Sequence, residues 1–282
     1  MQAIQDWVEQ SPYGAGLGVQ LREVTGEAAV IAMPFREANS NPGDALHGGC
    51  AASLGLIGGQ AVARAALGDQ FTTFHTASCQ VSYLAAAIGE DVSATTTLLR
   101  RGKEMCFTET TVATVGGKPI SHIATLVRGR SGTQAPTTTA AVGDDGASDP
   151  GQMGPFIGTL PFMAARKIDV HHMGDGRARL VMPLGDANAD RSGGFHEGSA
   201  LALLDTTGAM ASWAETGPGP YKASTAAMQA QVVGDLRAEE LVGYGRVAQR
   251  DGDLFWADVE VADAETQHVQ VRGTVVYRIV TT

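Results

Sequence analysis

The chain contains one long pattern twice, at a constant offset of 149 residues. The paired segments are Met33-Pro34 with Met182-Pro183, Ala38-Asn39 with Ala187-Asn188, and His47-Gly48-Gly49 with His196-Glu197-Gly198. Further along, Thr76 matches Thr225 and Phe107 matches Trp256 at the same offset. A repeat of this length is a duplicated domain, because solenoid units are only about 20–50 residues long. The chain of 282 residues therefore predicts two homologous domains, each large enough to bury its own core.

The boundary between the copies is indicated by composition. Residues 129–154 are mostly Gly, Ser, Thr, Pro, Ala and Asp, with few side chains to bury. Such a segment is typical of a flexible linker. We therefore predict a first domain over residues 1–128, a linker over 129–154 and a second domain over 155–282.

Hydrophobic periodicity predicts the same element order in both copies: two strands, one long helix and four further strands. In the first copy the ranges are 17–24, 27–33, 47–67, 72–84, 91–101, 105–115 and 119–127. In the second copy they are 165–171, 177–182, 196–214, 224–233, 240–250, 254–262 and 268–280. The long segments are rich in Ala, Leu and Gly and carry few charges, which indicates helices buried on most sides. Hairpin turns between the strands indicate an antiparallel sheet.

One buried helix wrapped by an antiparallel sheet is a hot-dog arrangement. Two copies in one chain predict an α+β double hot dog, arranged as a pseudo-dimer. In it the two sheets pair edge to edge and the two long helices lie close together.

Composition excludes several classes of function. A net charge of −10 argues against binding to a phosphate backbone, so we expect no nucleic-acid partner. The N-terminus lacks the features of a signal peptide and no run of 18 apolar residues occurs, so we expect a cytoplasmic protein with no membrane span. The three cysteines show no CxxC spacing and indicate buried thiols, and the histidines lack metal-ligand spacing, so no metal is expected.

The turn before the first long helix is suited to chemistry. Backbone N–H groups at a helix start are unpaired, and Gly48 and Gly49 would let a substrate carbonyl approach them. This is an oxyanion site for acyl transfer, or only a tight turn. His47 could orient the loop or donate to a substrate carbonyl. Asn41 could hold a water or a carboxylate, or could serve only as a turn residue.

Asp205 interrupts the apolar run of the second long helix. Burial of a carboxylate is costly and raises its pKa. Asp205 is therefore a candidate general base or nucleophile. The alternative is an Asp held by Thr206 or Thr207 at a helix irregularity.

Asn41, the HGG turn, an acid nine residues after the His and a strand that begins with Thr together resemble the PaaI-like acyl-CoA thioesterases of the hot-dog superfamily, here in tandem form. The resemblance implies a site at the interface of two hot-dog units. One unit brings the Asn and the Gly N–H, and the other brings the helix acid and the strand Thr or Ser.

Each copy of this chain departs from that pattern, and the departures are complementary. The first copy has Asn41, His47 and Gly48 but carries Leu56 at the acid position. The second has Asp205 and Thr225 but carries Asp190 and Glu197 in the loop. If the copies share residues across their interface, one complete site forms from Asn41, His47, Gly48, Asp205 and Thr225. The opposite site then combines Leu56, Asp190 and Glu197, and we predict that it is a vestigial or purely binding pocket.

We therefore predict an acyl-CoA thioesterase with one working site. Asp205, Gly48, His47, Asn41 and Thr225 form the catalytic set. Gly49 and Thr206 are expected to contact substrate. Coenzyme A enters as part of the substrate and no separate cofactor is expected. The resemblance also predicts a homodimer of double hot dogs.

Two alternatives stay open. A hot-dog enoyl-CoA hydratase or dehydratase would act on the acyl Cα and Cβ, and a binding or sensing protein would hold acyl-CoA without cleaving it.

Overall fold

A computed structural model describes residues 2–132 and 136–281. The first copy contains α1 (Gln2–Gln10), α2 (Pro12–Leu17), β1 (Gln20–Val24), β2 (Ala28–Met33), α3 (Gly48–Leu67), β3 (Thr73–Tyr83), β4 (Val92–Arg101), β5 (Met105–Thr114) and β6 (Pro119–Arg130). The second contains α4 (Gly154–Ile157), α5 (Pro161–Arg166), β7 (Asp169–Gly174), β8 (Arg177–Pro183), α6 (Glu197–Thr216), β9 (Lys222–Val232), β10 (Glu240–Asp251), β11 (Leu254–Asp263) and β12 (Val269–Val280).

All twelve strands form one antiparallel sheet in the order β1-β2-β4-β5-β6-β3-β9-β12-β11-β10-β8-β7. The second half of this order mirrors the first. The halves join where β3 pairs with β9, and Gln80 lies opposite its own repeat partner Gln229. The helix α3 packs on the strands of the first half, α6 packs on those of the second, and the two helices contact each other. The predicted double hot dog with edge-to-edge sheets is thereby confirmed.

The two copies are tied together by repeated contacts outside the sheet. The N–H of Tyr13 donates to the carbonyl of Ala189 at 3.0 Å, and its repeat partner Phe162 donates to Ser40 at 3.1 Å. Between the helices, the Ser53 hydroxyl lies 3.3 Å from the carbonyl of Gly198. These pairs place the start of each long helix against the other copy.

The first strand of each copy begins later than predicted. Leu17 belongs to α2, and Ala165 and Arg166 belong to α5, so β1 starts at Gln20 and β7 at Asp169. Both short helices have proline in the first turn, where its missing N–H costs nothing, and both end at a residue in the left-handed region. These local signals outweigh the apolar alternation that indicates a strand.

The segment predicted to be a free linker makes specific contacts. The predicted boundary at residue 128 lies inside β6, which continues to Arg130. Further on, Ala140 forms a bridge with His268, and Asp144 accepts two hydrogen bonds of 2.7 Å from Arg179. Residues 140–144 are therefore held against the second copy, which corrects the expectation of a free tether there. The domain boundaries themselves stay predictions.

Most of α3 is buried. By length and hydropathy the segment Gly48–Gln70 could cross a membrane, but 83% of its most apolar window is buried inside the protein. Such burial is typical of a core helix. The three cysteines are free and buried.

Candidate active site

The structure brings Asp205 of the second copy against Gly48 of the first. A Cβ atom built on Gly48 would lie 2.7 Å from Asp205 Oδ2, closer than real Cβ contacts allow. Gly48 begins α3, and among the described residues its N–H donates to no acceptor. A buried carboxylate oxygen therefore lies beside the residue whose free N–H begins α3. A side chain larger than hydrogen at position 48 would fill the space beside this oxygen.

The environment of Asp205 shifts its ionisation equilibrium toward the neutral carboxyl. Asp205 is only 3% exposed. Burial raises its pKa to about 6, and the hydrogen bond from Thr225 opposes that rise. The Thr225 hydroxyl donates to Asp205 Oδ1 at 2.8 Å, which leaves Oδ2 as the oxygen that faces Gly48. A carboxylate with a pKa near 6 can accept a proton at neutral pH and release it again.

His47 has both ring nitrogens engaged within the protein. Nδ1 accepts from the N–H of Gly49 at 2.9 Å, so the neutral ring carries its proton on Nε2, which faces the Thr206 hydroxyl at 3.3 Å. Burial lowers the pKa of His47 to about 3, so the ring is uncharged at neutral pH. His196, the repeat partner, caps α6 in the same way, through Nδ1 and the N–H of Gly198. Because the cap is present in both copies, we assign His47 to loop geometry rather than to proton transfer.

The two predicted substrate contacts have other partners in the structure. A Cβ atom on Gly49 would lie 2.4 Å from the Cβ of Ala202, so this glycine permits the close approach of α3 and α6. Its N–H is taken by His47. The Thr206 hydroxyl donates to the carbonyl of Ala202 at 2.8 Å and faces His47. Both residues therefore have structural roles within the protein, and their contact with a substrate stays a prediction.

Asn41 lies in the turn before α3 and is half-buried. Its backbone N–H donates to the carbonyl of Ala45 at 2.7 Å, which closes the turn. No hydrogen bond of its side chain is formed among the described residues. The structure therefore places Asn41 beside the loop but does not join it to Asp205. A buried asparagine with defined partners is Asn39, whose amide donates to Leu17 and accepts from Arg166.

Two aromatic residues that sequence reasoning missed complete the site. The Tyr83 hydroxyl donates to the carbonyl of Gly48 at 3.2 Å, and its ring would contact a side chain at position 48. Phe162 of the second copy stacks on His47, with ring centroids 3.8 Å apart and planes 7° from parallel. These residues hold the loop on both sides. Their repeat partners, Val232 and Tyr13, are different side chains. Tyr83 and Phe162 are therefore assigned to the site by their tertiary contacts alone.

The opposite site, formed by the repeat-equivalent residues, has a different chemistry. Glu197 stands where the first copy has Gly48, and its carboxylate accepts from Gln60 at 2.7 Å and from the N–H of Thr76 at 3.1 Å. Its other oxygen lies 3.1 Å from His75 Nδ1. Burial raises the pKa of Glu197, but the contacts with His75 and Thr76 outweigh burial and lower it overall. Leu56 is fully buried at the position of the acid. This site lacks the arrangement of Asp205 and Gly48.

Within the described ranges, no group of three or more His, Cys, Asp and Glu side chains could hold a metal ion.

Comparison with known proteins supports the fold and part of the interpretation. Residues 36–130 match the acyl-CoA thioesterase N-terminal domain family. A tesB protein of Mycobacterium avium subspecies paratuberculosis is similar in structure, with a TM-score of 0.63 and 13% identity over 95% of this chain and 99% of that one. An acyl-CoA thioesterase II, TesB2, of Mycobacterium marinum gives a TM-score of 0.62 and 12% identity over 99% and 97%.

A hot-dog protein of unknown function from Alicyclobacillus acidocaldarius gives a TM-score of 0.67 and 16% identity over 100% of this chain and 99% of that one. At these identities the structural neighbours establish the double hot-dog fold alone. Comparison with curated proteins by sequence finds no match.

Proposed function

We propose that this protein is an acyl-CoA thioesterase that works at one composite site between its two hot-dog units. The observation that carries the proposal is the approach of Asp205 Oδ2 to Gly48 across the copies. The family match over residues 36–130 supports the substrate class. The proposed site uses Asp205 and Thr225 from the second copy and Gly48 from the first.

Hydrolysis follows from this geometry. The acyl oxygen accepts from the Gly48 N–H at the start of α3, where the helix dipole favours negative charge. Asp205 Oδ2 removes a proton from a water whose oxygen bonds to the acyl carbon. The tetrahedral oxyanion then collapses, the carbon–sulfur bond breaks, and the thiolate takes the proton from Asp205. The products are the free acid and coenzyme A.

Direct attack is the second route open to the same oxygen. Asp205 Oδ2 would then bond to the acyl carbon, release the thiolate and leave a mixed anhydride that water hydrolyses. Label found in Asp205 after a single turnover in ¹⁸O-water would identify direct attack followed by addition of water to the aspartyl carbon, because general-base hydrolysis labels only the product acid.

The decisive experiment measures thiol release across short, long and aromatic acyl-CoAs. Asp205→Asn keeps the size of the side chain and removes the base, so we expect kcat to fall by about 10²–10⁴-fold with the fold intact. Asp69→Asn, a change of an exposed Asp outside the site, is the matched control and keeps wild-type turnover. Retained activity in Asp205→Asn would remove this residue from the mechanism.

The same assay tests the rival functions. Hydration of crotonyl-CoA without thiol release would favour a hydratase. Tight acyl-CoA binding with neither reaction would favour a binding protein. The pairing of two double hot dogs into a homodimer stays a prediction, which light scattering on the purified protein can test.

A further inference from the structure

A cavity of about 840 Å³ lies at the opposite site. Leu56, Asp190 and Glu197 line it, so it occupies the position that repeat symmetry relates to the proposed thioesterase site. We call this cavity the second pocket. Its volume lies within the range of about 300–1,000 Å³ that is usual for ligand sites.

Four arginines line the second pocket: Arg64, Arg130, Arg191 and Arg237. They come from α3, from the end of β6 and from two loops of the second copy, so they surround the cavity from several directions. None forms an ion pair among residues 2–132 and 136–281. This concentration of cations is notable in a chain whose net charge is −10.

The arginines belong to one of the two symmetry-related sites only. At the repeat-equivalent positions the other site has Trp213, Val280, Pro42 and Ile88, all uncharged. The equivalence of Arg130 and Val280 follows from strand pairing, because they lie opposite the repeat partners Thr73 and Lys222. The site that lost the helix acid is therefore the site that carries the four arginines, and the other site has one cation at an equivalent position, Lys222 in place of Thr73.

The carboxylates in the second pocket already have donors within the protein. Glu197 accepts from Gln60 and Thr76 and faces His75. Asp190 accepts from the N–H of Ser192 at 2.7 Å and from its hydroxyl at 2.8 Å. Asp235 accepts from the backbone N–H of Arg237 at 3.2 Å. Glu197 and Asp190 therefore use their oxygens on other donors, whereas Asp235 is exposed and accepts this one bond. The four guanidinium groups are left without an ion-paired carboxylate among the described residues.

Arg64 has a guanidinium group whose hydrogen-bond donors are only partly satisfied within the protein. Its guanidinium lies 4.1 Å from the ring centroid of Trp7 and 4.7 Å from that of Phe74. One terminal nitrogen donates to Gln60 at 3.3 Å, but the buried Nε has no partner among the described residues. Burial lowers the pKa of Arg64 to about 10, which still leaves it charged at neutral pH. A buried cationic N–H group without a hydrogen-bond acceptor is suited to an anionic ligand.

We propose that the second pocket binds a multiply phosphorylated ligand of nucleotide size and does not cleave it. Guanidinium groups match phosphate in planar, two-point geometry, and cations spread around a cavity suit a ligand with more than one phosphate. Coenzyme A has this chemistry, as do other nucleotides. Cleavage of a thioester is not expected there, because Leu56 offers no base and the Glu197 side chain takes the space that the first copy leaves open beside Gly48. The proposal concerns binding alone and does not depend on the thioesterase function.

The test uses the full chain and titrates it with coenzyme A, ATP and pantetheine, which carries no phosphate. Isothermal titration gives the stoichiometry, and tryptophan emission reports on Trp7 beside Arg64. We expect a phosphate-dependent site whose affinity falls with added salt, and an emission change that disappears in Trp7→Phe. Tight binding of ATP would identify a separate nucleotide, and preference for coenzyme A would identify the substrate's own carrier.

The critical variant is Arg191→Ala/Arg237→Ala, because both side chains are exposed and the fold should be unaffected. We expect at least tenfold weaker coenzyme A binding at one site per chain, with unchanged kcat for thiol release. Arg22→Ala/Arg272→Ala, with two exposed arginines outside the pocket, is the matched control and should bind as the wild type does. Equal affinity in the critical variant, or equal binding of pantetheine, would overturn the proposal. Absence of thiol release in every protein would instead defeat the thioesterase function and leave this result standing.

Discussion

At the scale of single residues, the ionisation of Asp205 is the property on which the proposed chemistry depends. Desolvation raises its pKa, and the hydroxyl of Thr225 is the one neighbour that opposes this rise. The oxygen that accepts from Thr225 is not the oxygen that faces Gly48. Thr225 therefore controls the charge of the carboxylate without occupying its reactive side.

Thr225→Ala should shift the pH profile of thiol release. The general base must be ionised, so wild-type kcat should fall as pH drops through about 6. Loss of a hydrogen bond to the charged form raises the pKa further, and we expect the acid limb to move up by about one pH unit. Activity at pH 8 should largely survive. Thr225→Ser keeps the hydroxyl and should keep the wild-type profile, and an unshifted limb in Thr225→Ala would contradict the role of Asp205 as base.

Asp205→Asn should stabilise the protein while it removes activity. Because the folded pKa is raised above that of the unfolded chain, the folded state binds more protons between about pH 4 and pH 6. Stability from this group is thus lost as pH rises through that window, and the loss is complete above it. The substitution should raise the free energy of unfolding by about 1–3 kcal/mol at pH 8 and have little effect near pH 4.

Urea denaturation at both pH values measures this difference. Asp69→Asn, where the side chain is exposed, should show no gain at either pH. A destabilised Asp205→Asn at pH 8 would show that the carboxylate has a stabilising partner, and the assignment of its raised pKa to burial would fail.

At the scale of elements, the site exists because two helices from different copies approach closely. His47 and His196 cap α3 and α6 in the same way, and each following glycine faces the opposite helix. Gly49 meets Ala202, and Gly198 meets Ser53. The repeated contact fixes the position of one helix start against the middle of the other helix. Asp205 reaches Gly48 as a consequence.

Gly49→Ala tests this contact. The added methyl would lie 2.4 Å from the Cβ of Ala202 and 2.8 Å from its Cα, so the helices must separate. We expect a loss of about 1–3 kcal/mol in the free energy of unfolding and a fall in kcat. Gly16→Ala, a helical glycine with no atom within 4 Å of an added Cβ, is the control and should be neutral or slightly stabilising. Thermal and urea unfolding of the two variants measure the difference, and equal stabilities would mean that the helices are not in tight contact here.

The elements differ in how far the sequence predicts them. Both long helices and the later strands extend over many residues with clear periodicity, so their positions could be predicted closely. The helices α2 and α5 have only six residues each, and their apolar residues continue into the following strands. Pro12 and Pro161 mark the start of these helices in the sequence, and they are the signals from which both helices could have been predicted.

Some residues of the candidate site could likewise be predicted from the sequence, and others could not. Asp205, Gly48 and Thr225 could be predicted because the duplication shows which positions each copy has lost. Tyr83 and Phe162 could not, because their neighbours are set by packing between the copies and no local pattern marks them. Gly49 illustrates the same limit, since a glycine at a helix start is compatible with substrate access and with helix packing. The position of Ala202, known only from the structure, indicates that Gly49 serves helix packing.

At the scale of the whole molecule, duplication has produced two sites with different properties. The sheet and helices obey the repeat closely, as the mirrored strand order shows. Departures that bear on the proposed chemistry lie at the helix starts and at the cavity walls. One site keeps a buried acid and a free N–H, and the other has a carboxylate at the helix start and four arginines around a cavity. The fold therefore tolerates a change of side-chain chemistry at one site while the helices and the sheet keep their arrangement.

Leu56→Asp tests whether the loss of the acid alone separates the two sites. Leu56 is fully buried, so an ionised carboxylate there would be costly, and Leu56→Asn controls for burial of a polar group without charge. We expect thiol release per folded chain to be the same in both variants. One reason is that Glu197 still occupies the oxyanion position and still accepts from the N–H of Thr76. The other is that the negative charge of Glu197 would raise the pKa of the new aspartate further. Turnover in Leu56→Asp near twice that of Leu56→Asn would mean that a base is all the second pocket lacks, and that Glu197 does not block an oxyanion.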